Sequence, residues 1–338
     1  MAGLDIGLDL GTTSIMIYMS NKGVVLEEPS VVAINKRTNA VLAVGTEAYR
    51  MLGRTPDYIM AEAPLKNGVI SDHHLTGLMI REFLRRVSAN LMIKPRVAIC
   101  IPSSITDIES RAVIDVAVNS GARRVYLIEE PIAAAIGAGI DITAPNGHLI
   151  VDIGGGTTDI AVISLNGIVT KDSIKIAGNC MNEAIVKYMS TAHKLLVGEK
   201  TAEQVKIQIG TVFSPSADKR VTVKGRNLMT GLPEFIEVTQ EELYPVLLSF
   251  AMQIVHAVRA VLEKTPPELV GDIYSNGLLL TGGGSLLNGL DSLLAAETGV
   301  HVRHAENPLH CVAIGTGRVF EHLHEIRDGF SNAATYKH

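Results

Sequence analysis

Two short stretches of the chain carry the residues best suited to chemistry, and they are near copies of each other. Asp9-Leu10-Gly11-Thr12-Thr13-Ser14-Ile15-Met16-Ile17 returns as Asp152-Ile153-Gly154-Gly155-Gly156-Thr157-Thr158-Asp159-Ile160-Ala161-Val162, with two extra glycines. Each follows an apolar run that reads as a strand, so each copy is strand, glycine-rich tight turn, strand, with an Asp just before the turn. Glycine lets backbone N–H groups approach a phosphate closely, and Thr or Ser hydroxyls add donors. Two such turns facing each other across a cleft can cradle β- and γ-phosphates from opposite sides. Asp9 and Asp152 would face those phosphates, where bare carboxylates repel unless a cation intervenes. Mg²⁺ holding its waters is the natural solution. Read without a ligand, each Asp is a turn-stabilising residue.

A third glycine-rich turn, Gly282-Gly283-Gly284-Ser285, follows the apolar strand 278–280 and leads into an amphipathic helix over 286–297. Glu129-Glu130-Pro131 ends another strand and opens a small-residue helix, 132–139, whose Ala and Gly face permits the close packing an interdomain hinge needs. If Glu130 projects into the cleft, it can orient or deprotonate a water in line with a γ-phosphate. A carboxylate there also serves as a dipole-favoured cap with no chemistry. The chain has no GxxxxGK[ST], no GxGxxG after a strand, no HExxH and no GxSxG, so any nucleotide is held without a P-loop or Rossmann turn. His301, His304, His310, His322 and His324 lack metal-ligand spacing on a helix.

The elements that must position these turns alternate between strand and helix. Residues 7–20, 23–32 and 41–45 read as β-structure, with hairpin turns at Asn21-Lys22-Gly23 and Arg37-Thr38-Asn39. Helical spacing follows over 69–87, then a strand 96–100, a helix 107–120 and a strand 125–128. This alternation predicts mixed α/β sheets with helices on both faces. Segments 179–240 and 32–74 differ in character and read as insertions into the second and first domain, with strands expected at 219–224 and 234–238.

Composition bounds the function. The 338 residues are 47% hydrophobic and 19% charged, with 31 Gly and 4% aromatic; their mean hydropathy is +0.25. No run reaches the roughly 18 apolar residues of a spanning helix, and the uncharged stretch 243–258 is too short. The first twenty residues hold Asp5 and Asp9 and no Lys or Arg, which does not read as a signal peptide. A net charge of −5 without basic runs argues against nucleic acid as the partner. Cys100, Cys180 and Cys311, far apart and without CxxC, read as small core residues in a reducing compartment. A cytosolic protein of about two domains is expected.

Beyond these motifs, Glu27-Glu28-Pro29-Ser30-Val31-Val32-Ala33, Glu130-Pro131 with its Ala helix, residues 151–163 and 280–290, and Asn307-Pro308-Leu309-His310-Cys311-Val312-Ala313-Ile314-Gly315-Thr316-Gly317 are together highly specific. Over residues 4–320 the chain resembles the bacterial actin homologue family MreB. Thr201-Ala202-Glu203-Gln204-Val205-Lys206 and its start at the first strand make it similar to the Mbl and MreBH paralogues.

That resemblance implies an α/β actin-like fold, shared with heat-shock chaperones and sugar kinases, of two duplicated domains and four subdomains around a nucleotide cleft. The division expected is 1–31, 75–142 and 308–338 for IA, 32–74 for IB, 143–178 and 241–307 for IIA, and 179–240 for IIB. It implies ATP or ADP with Mg²⁺ through Asp9 and Asp152, slow ATP hydrolysis, and polymerisation with copies of itself into double antiparallel filaments. These lie at the inner face of the cytoplasmic membrane, organise the wall-elongation machinery and determine rod shape. By position, Gly11, Thr12, Thr13 and Ser14 match the first phosphate loop, and Gly154, Gly155, Gly156, Thr157 and Thr158 the second. Glu130 and Thr157 match the pair that positions the attacking water. Glu203 and Lys206 match the adenosine-side helix, and Gly282, Gly283, Gly284 and Ser285 the turn beneath adenine and ribose.

Two departures stand out. Ser14 replaces the family's usual Asn, and the acidic GDxxDE stretch reads Gly178-Asn179-Cys180-Met181-Asn182-Glu183, so two acids have become Asn. Leu91, Met92 and Ile93 stand at the place of the family's membrane-inserting loop; the alternative is a strand lead-in buried in the core. Their full burial is worth at most about 5 to 9 kcal/mol, so a filament would hold membrane far better than a monomer. Apolar insertion, not bulk charge, would drive it. Two other classes share the superfamily. A small-molecule kinase needs an Asp base against a substrate hydroxyl and a sugar-binding insertion, neither of which is evident. A chaperone-type ATPase needs a peptide-binding domain after the core.

Overall fold

The computed structural model describes residues 4–20, 22–88, 94–216, 218–322, 326 and 330–335. Leu91, Met92 and Ile93, with Asn21 and His324, lie outside the described residues.

Strands run in chain order as β1 (Asp5–Leu10), β2 (Ser14–Met19), β3 (Gly23–Pro29), β4 (Val32–Asn35), β5 (Val41–Val44), β6 (Ile59–Glu62), β7 (Leu65–Lys66), β8 (Val69–Ile70), β9 (Arg96–Ile101) and β10 (Arg124–Glu129). They continue as β11 (His148–Ile153), β12 (Thr158–Ser164), β13 (Gly167–Ile174), β14 (Leu195–Leu196), β15 (Arg220–Asn227), β16 (Pro233–Thr239), β17 (Leu278–Thr281), β18 (Val302–His304) and β19 (Phe330–Thr335). The helices are α1 (Thr46–Met51), α2 (His73–Ser88), α3 (Asp107–Asn119), α4 (Glu130–Gly137), α5 (Gly178–Ala192), α6 (Glu199–Ile209), α7 (Gln240–Lys264), α8 (Pro267–Asn276), α9 (Leu290–Thr298) and α10 (Cys311–Arg318).

The internal repeat in sequence is a repeat in topology. One sheet is ordered β3-β2-β1-β9-β10, with β19 added at its edge, and the other β13-β12-β11-β17-β18. In both, an antiparallel three-stranded meander continues through parallel pairs. Parallel strands need helical crossovers, which cover both faces and bury both. On β9, Val97, Ile99 and Ile101 therefore enter one core while Ala98 and Cys100 enter another. On β11, Leu149, Val151 and Ile153 likewise face away from Ile150. Three-stranded sheets β5-β4-β6 and β14-β15-β16 form the smaller units.

Several boundaries differ from the sequence reading, each for a local reason. The strand expected over 23–32 divides, because Ser30 turns its N–H to Thr13 O (3.0 Å) and its hydroxyl to Gly11 O (2.6 Å), and the chain restarts in another sheet at Val32. The helix expected from residue 69 begins at His73. An Asn67-Gly68 turn at positive φ first pairs β7 with β8, and the Asp72 carboxylate then accepts from Leu75 N at 2.8 Å, an N-cap. The helix expected over 286–297 is a 3-10 turn, Gly283–Leu286, followed by α9, because Gly289 at φ 80 interrupts it. Cys100 and Cys311 are buried as expected, whereas Cys180 is only part-buried.

Helix α7 is longer than the uncharged stretch suggested, and by length and composition alone it could cross a membrane. Its Leu243, Leu247, Ala251, Ile254, Val255, Val258 and Val261 are instead fully buried in the core beneath β11 and β12.

Candidate functional site

Strand parity places the two repeat carboxylates. Ile6, Leu8 and Leu10 of β1 fill the core on one face, so Gly7 and Asp9 take the other. Gly7 there meets the α10 backbone, where a Cβ would overlap Gly317. Asp9 points into the cleft and its Oδ1 accepts from the Cys100 thiol at 3.0 Å. In β11 the same alternation puts Asp152 opposite Val151 and Ile153. Asp152 Oδ1 is buried with no hydrogen-bond partner. Neither Asp is bonded to its own turn among the described residues, which removes the turn-stabilising reading.

The two turns meet face to face. A Cβ on Gly155 would overlap the Thr13 hydroxyl, and one on Gly156 would overlap that of Thr12 while lying 2.9 Å from Gly68 N. Only glycine permits this approach. Gly68 N donates to Thr12 Oγ1 at 2.8 Å. The second turn is braced by Gly154 N to Thr157 O (2.9 Å) and by the start of α5, where Asn179 N donates to Gly155 O at 2.8 Å. Lys206 Nζ, from α6, reaches Gly178 O at 2.9 Å. The third turn abuts the end of β11: Gly282, at φ 79, would put a Cβ 2.6 Å from Ile153 C.

Together these enclose a cavity of about 430 Å³, within the range of small-molecule sites. It is lined by Asp9, Gly11, Thr12, Thr13, Ser14, Glu130, Asp152, Gly154, Gly155, Gly156, Thr157, Glu203, Lys206, Gly282, Gly283 and Gly284, so most residues singled out in sequence converge. Two do not. Thr158 is fully buried in β12 with its hydroxyl on Ile176 O (2.7 Å), and Ser285 is buried with its hydroxyl on Gly282 O (2.6 Å). The strand and the turn need these hydroxyls for their own carbonyls.

Sequence reading missed the apolar part of the lining, Met181, Ile207, Leu286, Leu287, Leu309 and Val312. Ile207 and Leu286 are 74% and 54% exposed at its rim. It also missed Asp159. That carboxylate is fully buried, accepts from Ser103 N at 2.7 Å, and leaves Oδ2 without a partner among the described residues. An Asp inside the apolar run Thr158 to Ile163 was the available signal.

Asp9, Glu130 and Asp152 thus line the cavity, and Asp159, fully buried on β12 opposite Asp152, lies within electrostatic reach of them. Burial, then Asp159, Asp152 and Asp9, push the Glu130 carboxyl well above its ordinary range. Burial, then Asp159 and Asp9, do the same to Asp152, and burial raises Asp159. Glu130 starts α4 but makes no capping bond; the N-cap is Glu129, which pairs with Lys171 at 2.7 Å. Lys206 supplies a nearby positive charge, and its own proton affinity is lowered by burial. The two positions that depart from the acidic pattern lie close by. Asn179 Oδ1 accepts from Thr13 Oγ1 at 3.5 Å, and Asn182 Oδ1 is buried without a partner.

Asp9 shows the consequence for stability. Burial raises it from 3.8 to about 6, partly offset by the Cys100 thiol. Between those values the native state holds a proton that the unfolded chain has lost. Stability of the ligand-free protein therefore falls as pH rises through this window, by about 3 kcal/mol. Urea denaturation at pH 4.5 and 7 should show about 2 kcal/mol of this loss in the wild type and a smaller one in Asp9→Asn. Equal losses would show that the Asp9 carboxyl is not the group responsible.

The family model described as MreB/Mbl protein matches residues 3–328. The cell shape-determining protein Mbl of Bacillus subtilis (strain 168) is 49% identical over 327 residues, covering 96% of this chain and 98% of that protein. The cell shape-determining protein MreB of Escherichia coli (strain K12) is 46% identical over 323 residues, covering 94% and 93%. Among solved structures, MreB5 of Spiroplasma citri bound to ADP superposes with a TM-score of 0.89 at 39% identity, covering 94% of this chain and 96% of that one. The MamK double helical filament, 21% identical with a TM-score of 0.80 over 94% of this chain and 98% of that one, shares the fold.

Proposed function

The chain belongs to the MreB/Mbl family, and on that premise we propose that it is an ATP-dependent, filament-forming cell-shape protein. ATP, and ADP after hydrolysis, would lie in the cavity with its phosphates between residues 11–14 and 154–157. Its adenosine would lie against Glu203, Lys206 and Gly282 to Gly284. The observation that carries this reading is the pair of Asp-bearing hairpins closed face to face across one cavity. The relative MreB5 bound to ADP supports it. No observation favours the kinase alternative.

The carboxylates fit a hard cation: among the described residues, Asp152 keeps a buried oxygen without a partner, and Asp9 has only a thiol donor. Asp9 and Asp152 would hold Mg²⁺ through its waters, and that ion supplies positive charge against the phosphates. Glu130 and Thr157 would hold the attacking water. Burial and neighbouring carboxylates make Glu130 a stronger base once ionised, suited to accept the water's proton. Asn179 and Asn182, neutral where the family pattern has acids, keep further negative charge out of the cleft.

We assign residues 1–31, 75–142 and 308–338 to subdomain IA, 32–74 to IB, 143–178 and 241–307 to IIA, and 179–240 to IIB. Copies of the chain would assemble into double antiparallel filaments on the inner face of the cytoplasmic membrane, where they would organise wall elongation. Leu91, Met92 and Ile93 would insert into that membrane.

One experiment tests assembly and attachment together. With ATP, Mg²⁺ and liposomes, the wild type should scatter light and coat vesicles with paired filaments in electron micrographs. Changing Leu91, Met92 and Ile93 together to Ser should leave filaments that no longer pellet with lipid. Absence of wild-type filaments would reject the filament reading, and persistent pelleting of the variant would reject the membrane role of those residues.

A further inference from the structure

Next to Glu203 in the cavity lining, helix α1 of the β5-β4-β6 unit touches helix α6 of the β14-β15-β16 unit. Lys200 Nζ donates to the Tyr49 carbonyl and lies 3.7 Å from the centroid of the Tyr49 ring. The Tyr49 hydroxyl donates to Glu203 Oε2 at 3.4 Å. Lys200 and Glu203, three residues apart, share one face of α6 and so close on a single side chain from opposite ends.

Each contact has a physical basis. Tyr49 O belongs to the last turn of α1, where it takes only a long cap bond, 3.4 Å from Leu52 N, and the backbone dipole favours a cation. The ring face adds a second attraction for the ammonium. On its other side Tyr49 packs on the small core of Val31, Ala33, Ala43 and Ala48, which anchors it in its own unit. The contact is also partly removed from water. Burial, with Glu203, raises the Tyr49 hydroxyl. Burial, with Arg54, lowers Lys200 against the opposing pull of Glu203. Glu203 belongs to both places, since it accepts from Tyr49 and lines the cavity with Lys206.

We propose that Tyr49 and Lys200 form a clasp across the cleft that must open for nucleotide to enter or leave. This rests on the reading of the cavity as a nucleotide site. The clasp joins the two units that flank the cavity, so its opening belongs to the barrier for both passages. Loosening it raises association and dissociation rates together and leaves the equilibrium affinity nearly unchanged. A residue that touched the nucleotide, or served only to place Glu203 against it, would change affinity through dissociation alone.

The test is stopped-flow binding and displacement of fluorescently labelled ATP with Mg²⁺, using the full chain. Wild type is compared with Lys200→Met, Tyr49→Phe, the double variant, and Lys219→Met as an exposed-charge control. Thermal unfolding of each variant shows whether it is folded. Lys200→Met should raise both rates roughly tenfold with affinity within about twofold, a change of about 1.4 kcal/mol in the shared barrier. Tyr49→Phe should act in the same direction more weakly, since it keeps the ring and the carbonyl. The double variant should add little to Lys200→Met, because the contacts share one closure. Unchanged rates, or a rise in dissociation alone, would overturn the clasp. A wild type that binds no labelled ATP would overturn the nucleotide site itself, and the clasp with it.

Discussion

Replacing Glu130 by alanine should leave ATP bound and reduce phosphate release by roughly two to four orders of magnitude, the usual range for a lost general base. Glu130 and Thr157 both line the cavity, and among the described residues none of the phosphate-loop contacts given above runs through Glu130. Binding of labelled ATP should therefore survive. Glu130→Gln, which keeps shape and removes the charge, should fail equally in turnover. A second readout separates this role from a structural one. The cleft acids Asp9, Glu130 and Asp152 and the buried Asp159 beside them stand close enough that burial and their mutual charge raise the proton affinity of Glu130 and Asp152, so removing one relieves repulsion. The ligand-free Glu130→Gln protein should unfold at a higher temperature than wild type. Phosphate-release assays and thermal scans on the same preparations decide the matter; unchanged turnover rejects the assignment.

The second large effect lies behind the site. Helices α4 and α10 touch backbone to backbone. A Cβ on Gly315 would overlap Ala133 O and stand 2.6 Å from Ala133 C, and one on Gly137 would stand 2.8 Å from Cys311 C. The Cys311 thiol donates to Ala134 O at 3.1 Å across the same seam. Neither helix can yield locally, since α4 is buried along Pro131 to Ile136 and α10 is pressed on β1 through Gly317 and Gly7. Gly315→Ala should therefore destabilise by about 3 kcal/mol or more, at the upper end of overpacking effects. Because α4 begins with Glu130, the same change should slow hydrolysis. Gly77→Ala in α2, where a Cβ meets nothing within 4 Å, should instead stabilise by roughly 0.5 to 1 kcal/mol. Urea midpoints of the two variants would show the contrast, and similar midpoints would refute the packing account.

Much of the site was legible because it is local. A glycine-rich turn after an apolar strand, with an Asp one residue before it, is specified within about ten residues. The repetition of that pattern suggests two related domains, and their sheets β3-β2-β1-β9-β10 and β13-β12-β11-β17-β18 are equivalent strand for strand. Boundaries failed where a polar side chain redirected the backbone through a hydrogen bond that periodicity does not register. Ser30 left its strand for the carbonyl of Gly11, and Asp72 delayed a helix that periodicity alone would start earlier.

The chain by itself determined which residues can bind phosphate, which strands are buried on both faces, and that the two halves are copies. Their chemistry resides in side-chain type and short-range spacing, which need no partner to be read. Only the tertiary structure decided that Asp159 is buried within reach of Asp9, Glu130 and Asp152, that Thr158 and Ser285 turn away, and that Tyr49 meets Lys200. Those outcomes depend on contacts between residues far apart in sequence. Burial there sets the energy of a charge or a hydroxyl, and burial is a property of the packed chain, not of any segment within it.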